Sequence, residues 1–157
     1  MQLATTRFGD IEVDEQKILH FTQGLPGWES EKRFILISNE ETEPFHWLQS
    51  LDGASLALAV INPYLLFPDY CPAVPEMVFN ELVVDDEKDL LVLTVVVIPQ
   101  DFENMTTNLA APILINAQEN VGLQIILENT EYSLRCPIYE AVRSLVGGGT
   151  AHAGVDA

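Results

Sequence analysis

The sequence is poor in basic residues. Seven lysines and arginines stand against 24 aspartates and glutamates, for a formal charge of −17 over 157 residues. Between positions 34 and 134, sixteen acidic residues face a single base, Lys88. A negative field of this kind repels nucleic acid and anionic membranes, and it favours encounters with a basic protein partner. Acidity is also a common means of staying soluble, so charge alone leaves both interpretations open.

The residues that build metal, redox and catalytic sites are scarce. The two cysteines, Cys71 and Cys136, are too far apart for a CxxC or zinc-ligand pattern, and we expect them to be reduced structural thiols. His20, His46 and His152 form no HxxxH or HExxH arrangement. No GxSxG elbow, P-loop or GxGxxG motif occurs. The sequence therefore predicts no enzyme, no cofactor and no metal site.

Long apolar runs and a secretory leader are missing as well. The longest nearly apolar run, Leu90 to Ile98, is far shorter than the roughly 20 residues of a membrane-spanning helix. The first fifteen residues contain no basic segment followed by an apolar one. These absences predict a cytoplasmic protein without membrane association, and the length favours one domain.

What the chain does contain is a series of short apolar, β-branched segments separated by turn residues. Leu90–Ile98 is typical of a strand buried on both faces, because β-branched side chains favour the extended backbone. A hairpin is predicted at the start of the chain, with Gly9-Asp10 as its turn. Further strands are predicted at residues 34–37, 45–51, 56–61, 113–115 and 123–127. The pattern predicts a mostly β fold, a small antiparallel β-barrel-like domain.

One or two short helices interrupt the β pattern. Pro75-Glu76 is a typical helix opening, because proline suits the first turn and glutamate complements the helix dipole there. Residues 137–145 carry apolar side chains at helical spacing, and the glycines at 147–149 are expected to end that helix. We expect the β domain to occupy residues 1–146 and residues 147–157 to form a flexible tail.

The stretch INPYLLFPDYCPAVP, residues 61–75, combines four of the nine prolines with several aromatic side chains. Neither a helix nor a central strand tolerates that proline density, so a loop is predicted. Two roles stay open for it. Either its aromatics cover an end of the barrel, or Tyr64, Phe67 and Tyr70 anchor a partner with Asp69 as the charged contact. Alternation along the loop places Phe67 inward and Asp69 outward.

A cluster of acids forms a second set of candidate partner contacts. Its members are Asp85, Asp86, Glu87 and Asp89. The segment lacks the glycine and the terminal glutamate of a calcium-binding loop, so a solvated turn is favoured over a metal site. Charged surface residues of this kind would steer a basic partner and raise its association rate more than its final affinity.

Several segments taken together resemble one family. They are FTQGLPGWESEKRFIL (21–36), FHWLQSL (45–51), VINPYLLFPDY (60–70), MTTNLAAPILIN (105–116) and LENTEYSLRCPI (127–138). In this order they are similar to the flagellar assembly factor FliW family, and the resemblance runs from residue 3 to residue 145. It implies a compact, mostly β, barrel-like fold with small helices and a non-enzymatic function.

The resemblance also implies two protein partners. Members of this family bind the RNA-binding translational regulator CsrA and relieve its repression of flagellin mRNA. They also bind flagellin, which competes for the factor and releases CsrA. The expected partners are therefore CsrA and flagellin, without direct nucleic acid binding, and the chain alone is expected to be a monomer. The alternative is a flagellin-only chaperone that keeps the export substrate soluble.

The acidity of the chain suits an RNA-binding partner, which presents a cationic surface. The acids could imitate the phosphate backbone and block RNA directly. They could equally bind beside the RNA surface and act allosterically, in which case a coupling free energy would be measurable with RNA still bound. Both mechanisms need acidic side chains facing a basic partner, so the sequence leaves them open.

Overall fold

The computed structural model describes residues 1–84, Asp86 and residues 89–148. These residues form two α-helices, α1 (Glu76–Glu81) and α2 (Tyr139–Gly148). The strands are β1 (Gln2–Thr5), β2 (Gly9–Glu12), β3 (Leu19–His20), β4 (Arg33–Ser38), β5 (Phe45–Ser50), β6 (Ala57–Ile61), β7 (Leu91–Val97), β8 (Thr106–Thr107), β9 (Ile113–Asn116), β10 (Val121–Gln124) and β11 (Cys136–Pro137). In this part of the chain no helix has both the length and the apolar character needed to cross a membrane.

Seven of the strands close into a barrel. Their order is β7-β6-β5-β4-β3-β10-β9, and β9 pairs with β7 to complete the ring. Neighbours are antiparallel except β3 and β10, which pair in parallel at His20 and Val121. β8 and β11 extend the wall beside the end of β7, while β1 and β2 form a separate hairpin. The predicted mostly β, barrel-like fold is confirmed, and closure leaves few open sheet edges.

Large apolar side chains fill the barrel interior. Phe21 and Phe34 are fully buried there and meet edge to face, with ring centroids 5.3 Å apart. Gly122 of β10 lies directly against the Phe21 ring, so a Cβ atom at this position would overlap the ring. In β7 the adjacent residues Leu93 and Thr94 are both buried, which confirms the prediction of a strand buried on both faces.

Three groups of side chains cover the outside of the barrel. α1, which begins after Pro75 as predicted, contributes Val78 to a group that also contains Leu114 of β9. α2 contributes Val142 to a second group over β6 and β7. The N-terminal hairpin covers Ile35 of β4 in the third. Both faces of the central strands are therefore buried, which explains their continuous apolar sequences.

The N-terminal hairpin is confirmed, but the predicted Gly9-Asp10 turn is wrong. Gly9 pairs with Thr5, so the turn consists of residues 6–8. The Thr5 hydroxyl stabilises this turn, because its Oγ1 accepts the Phe8 N–H and donates to the Gly9 carbonyl, both at 2.8 Å. Gly9 adopts a φ of +70°, the left-handed conformation that closes three-residue hairpin loops.

Helix α2 begins and ends later than predicted. Cys136–Pro137 pairs with β8, and the Ile138 N–H donates to the Met105 carbonyl, so the helix starts only at Tyr139. The glycine at 147 does not end α2, which extends to Gly148, because glycine disfavours helical backbone without forbidding it. The predicted tail stays a prediction, since residues 149–157 lie outside the described residues.

The remaining predicted strands are confirmed, and one of them has different bounds. The hairpin predicted at 113–127 exists, but its second strand is Val121–Gln124 and not 123–127. Asn120 adopts a φ of +57°, and this left-handed residue ends the connection between β9 and β10 directly before Val121. Asparagine tolerates this conformation better than most residues.

Candidate functional site

The proline-rich loop, residues 61–75, is built from short hydrogen-bonded turns. Asn62 caps the first turn, because its Oδ1 accepts the backbone N–H of Tyr64 at 3.0 Å. Pro63 is buried in the first position of that turn, where a backbone N–H would not take part in the turn's hydrogen bonds, so proline is tolerated there. The next turn closes from the Tyr70 N–H to the Phe67 carbonyl at 2.9 Å. The loop is therefore ordered by its own backbone, without belonging to a strand.

Three tyrosines gather where the loop meets the barrel. The rings of Tyr70 and Tyr132 contact edge to face at 4.7 Å, and Tyr64 lies 5.8 Å from Tyr70. The Tyr70 hydroxyl donates to the Leu109 carbonyl at 2.7 Å. The Tyr132 hydroxyl accepts the Cys71 N–H at 2.8 Å. These bonds fix the outer half of the loop to segments far away in the sequence.

A cavity of about 400 Å³ opens beside these rings, and we call it the tyrosine cavity. It is lined by Tyr64, Tyr70, Cys71, Pro72, Val74, Leu90, Val92 and Leu114. The proline-rich loop thus shares one cavity with the start of β7. Asp69 directly precedes Tyr70 and Asp89 directly precedes Leu90, so one described residue of each predicted group of partner contacts is a chain neighbour of the lining.

The structure separates the predicted contacts of the loop into inner and outer residues. Phe67 packs inward with Met105 and Val142, and Asp69 is exposed, as predicted. Tyr64 is 39% exposed, whereas Tyr70 is 5% exposed. Tyr70 and Phe67 therefore fulfil the core-covering role that the sequence left open, and Tyr64 and Asp69 lie where a partner can reach them.

The acidic segment is described only in part. Asp86 and Asp89 are exposed, and the Asp89 N–H donates to the Asp86 carbonyl at 2.9 Å. Asp85 and Glu87 lie outside the described residues. The two described acids shortly precede Leu90, which lines the tyrosine cavity.

The lining of the tyrosine cavity is apolar and phenolic. Burial, and secondarily the neighbouring Tyr64 and Tyr132, raises the pKa of Tyr70 well above its usual range, so this phenol stays protonated at neutral pH. None of the described residues that line the cavity is a carboxylate or a histidine. Tyrosine rings are well suited to protein contacts, since they offer apolar area and a polar tip.

A second concave surface, which no sequence motif indicated, lies at one end of the barrel. We call it the barrel-end groove, and its volume is about 440 Å³. It is lined by Pro26, Trp28, Leu58, Val95, Val97, Thr106, Asn108, Ala111, Gln124, Ile126, Leu134 and Arg135. These residues come from six separate stretches of the chain, so no local pattern in the sequence could have indicated the groove.

The closed barrel has a packed interior, so recognition is left to its outer surfaces and its ends. The molecule is thus a small β-barrel protein with concave, aromatic-lined surfaces suited to binding other proteins. Comparison with known proteins identifies the family to which this barrel belongs. The family model described as FliW protein matches residues 2–138. The chain therefore belongs to the FliW family.

Individual relatives match nearly the whole chain. The flagellar assembly factor FliW of Caldanaerobacter subterraneus subsp. tengcongensis is 43% identical over 145 residues, which cover 92% of this chain and 97% of that protein. The flagellar assembly factor FliW of Clostridium tetani is 40% identical over 140 residues, with coverages of 89% and 97%. A crystal structure of the flagellar assembly factor FliW is 34% identical, with a TM-score of 0.83 over 88% of this chain and 97% of that one.

Proposed function

We propose that this protein is a cytoplasmic, non-enzymatic regulator of flagellar assembly. It binds the translational regulator CsrA, relieves the repression of flagellin mRNA, and also binds flagellin. The observation that carries the proposal is the match to flagellar assembly factors across almost the full length of both chains. A relative aligned over 97% of its own length corresponds to this chain over its whole domain. We therefore assign the role of the relatives to this domain as a unit.

The tyrosine cavity and its rim support a basic protein partner. Tyr64 offers an exposed aromatic ring, and the exposed acids Asp69, Asp86 and Asp89 are close in sequence to the lining residues Tyr70 and Leu90. A ring held by a rigid loop loses little conformational entropy on binding, and nearby acids steer a cationic surface towards it. An RNA-binding protein presents such a surface, because it must neutralise phosphates.

Flagellin is the second proposed partner, and competition between the partners is the proposed switch. When flagellin is scarce, the factor binds CsrA and flagellin mRNA is translated. When flagellin accumulates, it occupies the factor and CsrA represses again. Each binding event must lower the affinity for the other partner by the same factor, because linkage is reciprocal.

Calorimetry with purified CsrA tests the proposal. The protein is titrated with CsrA at two salt concentrations, and again with CsrA already bound to the leader RNA of flagellin mRNA. We expect tight binding that weakens at the higher salt concentration. Binding with RNA still in place would indicate an allosteric mechanism, and full exclusion would indicate competition for the RNA surface. No binding to CsrA, together with binding to flagellin, would replace the proposal with the flagellin-only chaperone.

A further inference from the structure

The barrel-end groove concentrates apolar surface that the rest of the fold would be expected to bury. Four large apolar side chains of its lining are exposed: Trp28 at 44%, Val97 at 61%, Ile126 at 65% and Leu134 at 63%. Contiguous exposed apolar surface of this kind marks interaction sites in soluble proteins. A volume of about 440 Å³ is large enough for a few side chains of a partner.

The groove opens where two barrel strands stop pairing. β6 and β7 pair only at Val60 with Val95 and at Ile61 with Thr94. The same register would bring Leu58 opposite Val97, but no pairing joins them, and both residues line the groove instead. The first half of β6 therefore has no strand partner on the β7 side in the described structure. An extended peptide can use such an edge for backbone hydrogen bonds.

One positive charge lies on the lining of the groove. The guanidinium of Arg135 is exposed and has no ion pair or hydrogen bond within the described residues. Other arginines are engaged, since Arg33 binds Asp52 and Arg143 lies near Glu140. The chain has 24 acidic and seven basic residues, yet Arg135 pairs with none of the described carboxylates. Its guanidinium is therefore well placed to form an ion pair with a carboxylate of a partner.

We propose that the barrel-end groove docks an extended, apolar peptide segment that carries a carboxylate. Its apolar side chains pack on Trp28, Ile126 and Leu134, and its carboxylate pairs with the guanidinium of Arg135. Tryptophan and arginine are the residue types that most often dominate binding energy at protein interfaces. The inference is independent of the regulator function proposed above, because it rests on a different surface.

Selection from a random twelve-residue peptide library displayed on phage tests the inference. The protein is immobilised, and peptides that also bind the Ile126→Ser/Leu134→Ser variant are removed. Both side chains are more than half exposed, so their replacement leaves the core intact. We expect enriched peptides to share spaced large apolar residues and one aspartate or glutamate. Failure to enrich any sequence, or enrichment of basic peptides, would overturn the proposal.

Fluorescence anisotropy with one labelled enriched peptide then tests the role of the charge. Arg135→Glu should weaken its binding at least about tenfold, as expected for a dominant interface residue. Arg143→Glu is the matched control, because it makes the same charge change at an exposed position of α2 outside the groove lining. It should leave the affinity unchanged. Equal effects of the two variants would exclude a specific pair with Arg135. A homodimer in sedimentation that dissociates in Arg135→Glu would instead assign the groove to a second copy of this chain.

Discussion

The hydroxyl of Tyr70 donates a 2.7 Å hydrogen bond to the carbonyl oxygen of Leu109, 39 positions further along the chain. This buried bond links the proline-rich loop to the segment between β8 and β9. The edge contact with Tyr132 supports the ring from another side. The loop is thereby held on the barrel from within, which leaves Tyr64 and Asp69 at the surface.

Tyr70→Phe should destabilise the fold. The substitution keeps the ring but leaves the Leu109 carbonyl without its buried donor, which costs about 1–3 kcal/mol. Urea denaturation at neutral pH measures the difference in the free energy of unfolding. Tyr139→Phe is the control, because the Tyr139 hydroxyl has no hydrogen bond partner among the described residues, and it should change stability by less. Equal losses in the two variants would contradict the role assigned to Tyr70.

The same bond shows what the sequence could not predict about the loop. Phe67 lies inward and Asp69 outward as predicted, but the cause is the turn closed by the Tyr70 N–H on the Phe67 carbonyl, since strict alternation would place residues two apart on the same face. Alternation could not distinguish Tyr64 from Tyr70, since both are tyrosines in a proline-rich context. The partner that buries Tyr70 is a backbone carbonyl distant in the sequence, and no local pattern identifies it.

The barrel itself was predictable to a larger extent. β-branched runs identified β7 and its neighbours because strand preference is a local property that agrees here with burial. β11 was missed because two residues ending in proline carry no strand signal, and only the contact with β8 defines them. The barrel-end groove was missed for a similar reason, since Trp28 and Arg135 are distant in the sequence and only the fold brings them to one lining.

The decrease in the free energy of unfolding at acid pH should depend on Asp52. Burial acts to raise the pKa of this carboxyl, but hydrogen bonds from the Lys32 N–H and from the side chain and N–H of Arg33 outweigh it and lower the pKa below its usual value. A lowered pKa contributes stability above the unfolded value of about 4, and that contribution is lost as pH falls further.

Asp52→Asn should therefore be less stable at pH 7 and should lose less stability than the wild type as the pH falls below about 4. Urea midpoints measured from pH 7 down to pH 3 provide the comparison. Asp69→Asn is the control, because that exposed carboxylate has no hydrogen-bond partner among the described residues, and its replacement should change the urea midpoint little. Parallel curves for wild type and Asp52→Asn would contradict the assignment.

Gly122→Ala should destabilise the barrel interior. The added Cβ would overlap the ring of Phe21, which is fully buried and packed against Phe34, so the ring has little room to move. Overpacking of this kind costs about 1–3 kcal/mol. Thermal unfolding followed by circular dichroism measures the loss. Gly53→Ala should cost less, because its new Cβ would meet only the side chain of Glu31.

Asp69→Lys tests the surface proposed for the regulator. Asp69 is exposed and directly precedes Tyr70, whose ring contacts Tyr64, so replacing its negative charge by a positive one should weaken binding to the proposed cationic partner CsrA while the fold survives. Calorimetry at moderate salt gives the affinity, and circular dichroism verifies the fold. We expect a loss of about tenfold, the size typical of an interface contact worth more than 1 kcal/mol.

The matched control for this charge change is Glu15→Lys, which alters an exposed acid in the connection after the N-terminal hairpin. Both variants change the net charge equally, so general electrostatic attraction falls by the same amount in each. A larger loss in Asp69→Lys therefore reports a local contact, whereas equal losses report only the overall field. Unchanged affinity in Asp69→Lys would exclude the rim of the tyrosine cavity as the CsrA site and direct the search to another acidic face.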